Sequence, residues 1–369
     1  MGRHNVRAAM VRDFDGTFAI EEIEVDSPLG AEVLVEVRAA GLCHSDLHLA
    51  STNMGIPAPV LLGHEISGVV REVGDRVSDL TVGDHVLATL IQYCGRCADC
   101  LSGAGHRCKE GAQTLRAAGA AARIEQDGSA VTQMFGLGGF AELVLVHENQ
   151  VVKIPREIPF AQAAVMACST LTGAGAVFNC AKVAPGENVV ILGAGGVGLN
   201  AINAARIAGA NRIIAVDLAE DKLRLARRFG ATHTVNASDQ DPVEAVREIS
   251  GGGVQHAFEM IGFPATSLQA LRMTRTGGHA YLIGLHRPGS MLELDVMADV
   301  IGPQRVLHGL YMGSSAPRRD VPRYVDQYLS GALDLDALVA NELSLDQIND
   351  GFAAMASGGG VARGVITSF

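Results

Sequence analysis

The stretch Gly193-Ala-Gly-Gly-Val-Gly198 constrains this chain most, because of what lies on either side of it. It follows the apolar run Val189-Val-Ile-Leu192 and opens a helical pattern over Leu199–Ala208. With 44 glycines in 369 residues, the G-x-G-x-x-G spacing alone means little. Between a strand and a helix it means more, because glycines let the backbone turn tightly and leave amides exposed at a helix N-terminus. From Glu187 onward, strand-like runs recur at Asn188–Gly193, Arg212–Asp217, His233–Asn236, Gln255–Met260, His279–Gly284 and Val306–Met312. Helical patterns at Leu199–Ala208, Asp221–Phe229, Pro242–Ile249 and Ser267–Arg272 separate most of them. Such alternation predicts an α/β fold with a doubly wound parallel sheet, and six strands complete a Rossmann unit.

That unit is expected to bind a dinucleotide. The turn formed by Gly193, Gly195, Gly196, Val197 and Gly198 would receive the pyrophosphate. Asp217 ends the next strand, 19 residues after Gly198. A carboxylate there accepts hydrogen bonds from a ribose 2′-hydroxyl and repels a 2′-phosphate, which favours NAD over NADP.

The flanking sequence is of another kind. Residues 1–150 mix short alternating runs, such as Ile66-Ser-Gly-Val-Val-Arg-Glu-Val73, with turns at Gly63, Gly68, Gly74 and Gly83. They predict a compact strand-rich domain. Ala161–Val177 is rich in small residues and begins as a helix. After Gly313, Asp320–Leu329 and Leu345–Ala356 read as amphipathic helices and Val365–Phe369 as a closing strand. The nucleotide fold is therefore expected as an insertion, 170–310, within a discontinuous domain made of 1–169 and 311–369. No apolar run approaches the roughly 20 residues of a membrane span.

Seven cysteines need a reason. An odd number does not close a disulfide set, and spacing carries the information. Cys94-x2-Cys97-x2-Cys100-x7-Cys108 suits a closed tetrahedral zinc site that staples a loop. A ferredoxin-type cluster would have its fourth cysteine three residues on and before proline, whereas Cys108 follows after seven and precedes Lys109. A second set is dispersed: Cys43, His64 and Cys168. As ligands they would make a site of two thiolates and one imidazole with one open position, at which zinc could stabilise an alkoxide. Taken singly, a histidine is more often structural and a buried cysteine more often a small hydrophobe.

Together these pieces resemble the zinc-dependent medium-chain alcohol dehydrogenases along nearly the whole chain. The carrying segments are Gly41-Leu-Cys-His-Ser-Asp-Leu-His48, Gly63-His-Glu65, the Cys94–Cys108 tetrad, Cys168, Gly193–Gly198 with Asp217, and Val361-Ala-Arg-Gly364. The resemblance implies a GroES-like catalytic domain beside the Rossmann domain, two zinc ions per chain and NAD(H). It implies that Cys43, His64 and Cys168 hold the catalytic zinc and that Ser45 takes the alcohol proton. His48 would release that proton, reached through the nicotinamide ribose. Asp46 would orient His64, and Glu65 would act beside the zinc. His44 stands where the family often has arginine against the pyrophosphate, which weakens that contact, and Arg363 matches a second pyrophosphate contact. Lys222 matches a basic residue near the adenosine ribose, Ile261 a cofactor contact, and Ile283 and Gly284 backbone positions at the nicotinamide carboxamide.

The length of Cys108–Gly139 resembles the long-loop branch, which includes thiol-dependent formaldehyde dehydrogenases and actinobacterial nitrosoaniline-dependent nicotinoproteins. The tail from His308 to Asn349 is similar to the latter group, which implies an NAD retained through turnover. The weaker contact expected from His44 points the other way. The expected activity is reversible oxidation of an alcohol, primary and aliphatic or aromatic, to an aldehyde or ketone. Oxidation of a thiol adduct of formaldehyde is the alternative within enzymes. It requires a cationic pocket, and Arg116 and Arg123 in the long loop are read instead as exposed, solubilising residues. A non-catalytic NAD-binding protein or redox sensor is a third possibility, opposed by the presence of the complete ligand and relay set. A net charge of −11 argues against a nucleic-acid surface. The 25 arginines and four lysines fit a GC-rich bacterial genome. Met1–Asn5 leads into no apolar signal segment, so a cytoplasmic enzyme is expected, acting on a small molecule without membrane or nucleic acid, as a homodimer or homotetramer. Cys180 is left with packing alone.

Overall fold

A computed structural model describes residues 2–117, 119–357 and 363–369. They divide into two compact units. One comprises 1–168, 316–329 and 335–369; the other comprises 169–315 and 330–334. The expected boundary at 169/170 lies one residue from the observed one. The expected boundary at 310/311 differs more, because Tyr311–Ser315 and Ser330–Asp334 belong to the nucleotide unit. The reason is local: Ser315 Oγ donates to the carbonyl of Leu171 at 2.8 Å, and Asp334 N donates to Asn203 Oδ1 at 2.8 Å.

The first unit is built on two sheets. In the seven-stranded one, Glu32–Gly41 is flanked by antiparallel neighbours Glu65–Val73 and Arg363–Ser368, and Leu143–His147 also pairs with it. Its runs of Val and Leu (Val33, Leu34, Val35, Val37) are buried throughout, as a strand covered on both faces must be. The register positions the chemistry. Gly41 lies opposite both Glu65 and Val365, so one end of this sheet brings together Cys43, Glu65 and Arg363.

The long loop after Cys108 is pinned to this unit by charge. Arg116 Nη2 and Arg123 Nε reach Glu32 at 2.8 and 2.7 Å, and Arg116 Nη1 reaches Asp26 at 2.5 Å. Arg123 also donates to the carbonyl of Thr114. Both guanidinium side chains are over nine-tenths buried. This corrects the expectation of exposed, solubilising arginines. Composition does not reveal that Glu32, nearly 90 residues away, supplies an acceptor for both.

The second unit is the expected doubly wound sheet. Across it the strands run His233–Asn236, Arg212–Asp217, Asn188–Leu192, Val254–Glu259, Thr274–Leu282, Val306–Gly309, all parallel. In chain order this is 3-2-1-4-5-6, with the topological switch between Asn188–Leu192 and Val254–Glu259. Val190, Leu192, Ile214, Val216, Val235 and Val254 pack with Ala270 and Leu271 into a buried layer. The helix Pro242–Ser250 starts where Asp241 accepts from the amides of Val243 and Glu244, a side-chain cap of its free N–H groups.

The helical run Phe160–Ala181 differs from expectation in two ways. It contains wide π turns at Met166–Thr170 and Ala176–Ala181, and Cys168 sits in the first. Such turns are rare and gather at functional sites. By length and composition the run is apolar enough to cross a bilayer, although no single apolar stretch in the sequence suggested it. However, 83% of its most apolar window is buried, as in a core helix.

Candidate active site and metal centres

Each cysteine set is a real cluster. The ligand atoms of Cys94, Cys97, Cys100 and Cys108 all lie within 4.8 Å of one another. The sulfur separations are 3.9 Å (Cys94–Cys100), 3.4 Å (Cys97–Cys100) and 3.8 Å (Cys97–Cys108), and all four cysteines are free of disulfides. A tetrahedron of 2.3 Å zinc–sulfur bonds has an edge of about 3.8 Å, so the set fits this metal. Backbone amides support it, with Cys94 N and Cys97 N donating to the sulfurs of Cys108 and Cys94. The backbone around Arg96 draws the Cys94 thiol down to about 6, while burial pushes Cys100 up to about 12. Four thiols crowded together cannot all ionise unless a cation sits among them.

The second cluster comprises Cys43, His64, Glu65 and Cys168, all buried. Cys43 caps the helix His44–Ser51, His64 precedes the strand Glu65–Val73, and Cys168 comes from the π turn. His64 Nδ1 meets Asp46 Oδ1 at 3.0 Å, and that oxygen also accepts from Gly63 N at 3.2 Å. The carboxylate therefore holds the imidazole as its Nδ1–H form. His64 Nε2 is buried without a hydrogen-bond partner among the described residues. A buried nitrogen lone pair left this way beside two thiols is the signature of a ligand position. The hydrogen bond from Cys168, then Arg363 and His64, hold the Cys43 thiol well below its ordinary range. Its partner Cys168 is pushed up by the same bond and by burial. Burial opposes a charged His64, but Asp46 and Cys43 outweigh it and raise the imidazole.

Glu65 and Arg363 form a buried ion pair at 2.7 Å. Burial still pushes the Glu65 carboxyl up to about 8, against the pull of Arg363. Arg363 also donates to the carbonyl of Leu42 at 3.1 Å and approaches Cys43 Sγ at 3.6 Å. Its placement thus differs from that of a free guanidinium awaiting a phosphate. A buried arginine needs a counter-charge, and Glu65 is the one that the sheet register supplies. Only its Nε lacks a partner. Val361 and Ala362, the first half of its motif, lie outside the described residues.

Ser45 and His48 lie three positions apart on the helix His44–Ser51, so they share one face. Both are half-buried, and His44 is exposed. One residue escaped sequence reasoning here. Phe135 presents its ring edge-on to His64, with centroids 6.1 Å apart. Its backbone is left-handed (φ 54°), which is costly for a bulky residue and common at functional sites. No spacing pattern marks such a residue in advance.

In the nucleotide unit, the helix Gly196–Ile207 starts at the Gly-rich turn. A Cβ on Gly198 would sit on the carbonyl oxygen of Gly193, which explains why that position must be glycine. Asp217 ends its strand as expected. One of its carboxylate oxygens accepts from Ala194 N in the Gly-rich turn at 2.8 Å, and the other accepts from Leu218 N and Ala219 N. Lys222 follows in the first turn of the helix Glu220–Phe229. Ile261 packs over Gly193, and Ile283 N and Gly284 N donate to the carbonyl of Glu259. The seventh cysteine, Cys180, is half-buried and belongs to neither cluster.

A GroES-like unit with two cysteine-rich metal clusters and a Rossmann unit with a Gly-rich turn define a zinc- and dinucleotide-dependent oxidoreductase. Comparison with known proteins agrees: residues 30–156 match the alcohol dehydrogenase GroES-like domain and residues 196–330 the zinc-binding dehydrogenase domain. The chain belongs to the zinc-dependent medium-chain alcohol dehydrogenase family. It is 34% identical over 367 residues to an S-(hydroxymethyl)glutathione dehydrogenase of Paracoccus denitrificans, covering 95% of this chain and 97% of that one. Among solved structures it resembles an alcohol dehydrogenase zinc-binding domain protein from Burkholderia ambifaria (36% identity, TM-score 0.94, all of both chains). It also resembles the benzyl alcohol dehydrogenase of Acinetobacter calcoaceticus (34% identity, TM-score 0.92, 99% of this chain and 100% of that one). The protein is an enzyme whose cofactors are zinc and NAD(H).

Proposed function

We propose that the enzyme oxidises primary alcohols, aromatic ones by preference, to aldehydes with NAD+, and catalyses the reverse reduction. The observation that carries this is the buried Cys43–His64–Cys168 set, with an unpartnered imidazole nitrogen and the hydroxyl of Ser45 close by in the chain. A zinc ion held there would supply Lewis acidity, and a bound NAD+ would supply the hydride acceptor. Cys43, His64 and Cys168 hold the metal, and Asp46 keeps the His64 tautomer that can ligate it. Ser45 accepts the alcohol proton, because a hydroxyl both accepts and donates. His48, one helical turn on and half-exposed, passes it to water. Glu65, partnered by Arg363, acts electrostatically beside the metal. In the nucleotide unit Asp217 selects NAD over NADP. Lys222 would serve the adenosine ribose, Ile261 covers the Gly-rich turn, and the backbone of Ile283 and Gly284 would serve the carboxamide.

Phe135 favours the aromatic substrates. A ring beside a metal ligand offers an edge or face to a benzyl group. Similarity to a benzyl alcohol dehydrogenase points the same way. Oxidation of a formaldehyde–thiol adduct is the second possibility, supported by the Paracoccus relative. The two loop arginines do not supply its anion pocket, since Glu32 and Asp26 already engage them. An NADH-absorbance screen of aliphatic, aromatic and terpenoid alcohols, with and without glutathione, decides between them. Benzyl-type alcohols are expected to react without thiol, and Phe135→Ala to lower their kcat/KM about tenfold while leaving ethanol within about threefold. Formaldehyde turnover that requires glutathione and exceeds benzyl alcohol turnover would establish the second reaction instead.

We also infer a homodimer through the edge strand Val306–Gly309. Its unpaired side is accompanied by exposed Met297, Ile301, Val306 and Leu307, an apolar edge that a monomer would not leave open. Leu307→Glu is expected to convert the dimer to monomer in light scattering; an unchanged mass would exclude this interface. Six ligand thiols imply a reducing compartment, hence the cytoplasm.

A further inference from the structure

One buried charged residue at the nucleotide end of the parallel sheet has no part in the roles above. Glu259 closes the strand Val254–Glu259, directly beside Leu192 at the topological switch, and is fully buried. Its Oε1 accepts three hydrogen bonds: from Ile261 N at 2.9 Å, Gly262 N at 2.8 Å and the Thr266 hydroxyl at 2.8 Å. Its Oε2 is buried with no hydrogen-bond partner among the described residues. Its main-chain carbonyl accepts from Ile283 N at 2.9 Å and Gly284 N at 3.0 Å, and the next amide, Met260 N, donates to Leu192 O at 3.0 Å.

One residue thus ties four segments together: the strand leading into the Gly-rich turn, the turn at Ile261–Gly262, the helix Pro264–Met273 and the turn at Ile283–Gly284. The last two turns also touch. A Cβ on Gly284 would fall on the amide nitrogen of Gly262, so the Gly262 amide lies between the Glu259 carboxylate and Gly284. Ile261 in turn packs over Gly193. A shift of the carboxylate therefore moves the surface over the Gly-rich turn and the Ile283–Gly284 backbone together. For strand packing alone an apolar residue would do, and a buried carboxylate oxygen without a donor is costly to keep.

We propose that Glu259 is a positioning residue for the dinucleotide, holding the Ile261–Gly262 turn beside the Gly-rich turn and the Ile283–Gly284 turn at a common spacing. This rests on the assignment of Ile261, Ile283 and Gly284 as cofactor contacts. A ligand that spans both turns depends on their spacing, whereas a ligand that occupies one does not. Misplacement of a supporting contact by about 1 Å is enough to cost a hundredfold in a spanning interaction.

The test compares NADH with AMP on the full-length holoenzyme carrying Glu259→Gln, by fluorescence and calorimetry. NADH is expected to bind about thirtyfold more weakly and AMP within about threefold of the parent, with KM for NAD+ rising while kcat stays within about threefold. Equal loss for AMP and NADH, or no loss of NADH, overturns the proposal. Thr266→Ala removes one of the three donors and spares the fold if Glu259→Gln does not. It should weaken NADH about threefold and leave AMP unchanged; an unaltered NADH affinity counts against the role. Ile261→Ala tests the underlying contact separately. Parental binding of both AMP and NADH there removes that assignment, whatever Glu259→Gln does.

Discussion

Replacing Cys43 with alanine is expected to abolish alcohol oxidation, by at least about a thousandfold, while NADH binding stays within about twofold of the parent. Zinc content should fall from two ions per chain to one. The reason lies in the separation of the two tasks. Cys43 belongs to the unit that carries the cluster with His64 and Cys168, and the Gly-rich turn with Asp217 belongs to the other. Cys43 caps the short helix carrying Ser45, Asp46 and His48 with no side-chain hydrogen bond, so its sulfur is not needed to start that helix. Loss of the thiol removes a ligand, takes from Cys168 its hydrogen-bond partner and from Arg363 one contact at 3.6 Å, and leaves the nucleotide unit untouched. Metal analysis and NADH fluorescence on one preparation check the result. Activity retained with one zinc per chain would mean that the metal bound at Cys43 is not the catalytic one.

Glu32→Gln is expected to destabilise the first unit by about 3–5 kcal/mol and to open the Cys108–Gly139 loop to proteolysis. The Glu32 carboxylate serves Arg116 and Arg123 together and accepts from Leu29 N at 2.9 Å. A neutral amide leaves Arg123 buried without a counter-ion, whereas Arg116 keeps Asp26. The pH dependence has a definite sign. Burial raises the Glu32 carboxyl, but Arg116 and Arg123 outweigh it and hold it below its ordinary value. A depressed carboxylate contributes its full stability above the unfolded value near 4.5 and loses it as pH falls through the lower folded value. Parent and variant should therefore differ most at neutral pH and converge in acid. Urea unfolding at pH 7 and pH 3.5 measures the fall in this difference below the unfolded value. A constant difference between them would show that the carboxylate charge is not what pins the loop.

Much of the fold was legible in the order of the residues. Strand and helix positions in the nucleotide unit follow from apolar periodicity and from turn residues, which act locally, and those expected around Arg212–Asp217 and His233–Asn236 coincide with the observed ones. The metal tetrad was legible because its four ligands lie within 15 residues, where spacing nearly dictates geometry. The dispersed set Cys43, His64 and Cys168 needed the family resemblance, because nothing local links Cys168 to partners more than 100 positions away. Arg116, Arg123, Phe135 and Glu259 were misread or missed for the same reason. Each owes its role to a neighbour distant in sequence or to a backbone turn that composition does not display.

The sequence by itself determined that the chain holds a Rossmann unit, a strand-rich unit and four closely spaced cysteines. These follow from local spacing and periodicity, which survive without tertiary contacts. Tertiary structure alone decided which ring nitrogen of His64 Asp46 engages, that Arg363 is tied to Glu65 and that Glu32 holds the long loop. It also decided that Glu259 joins the two turns of the nucleotide cleft. The physical reason is common to all four: each buried charge or polar atom must find its partner in space, and the partner is chosen by sheet register and packing.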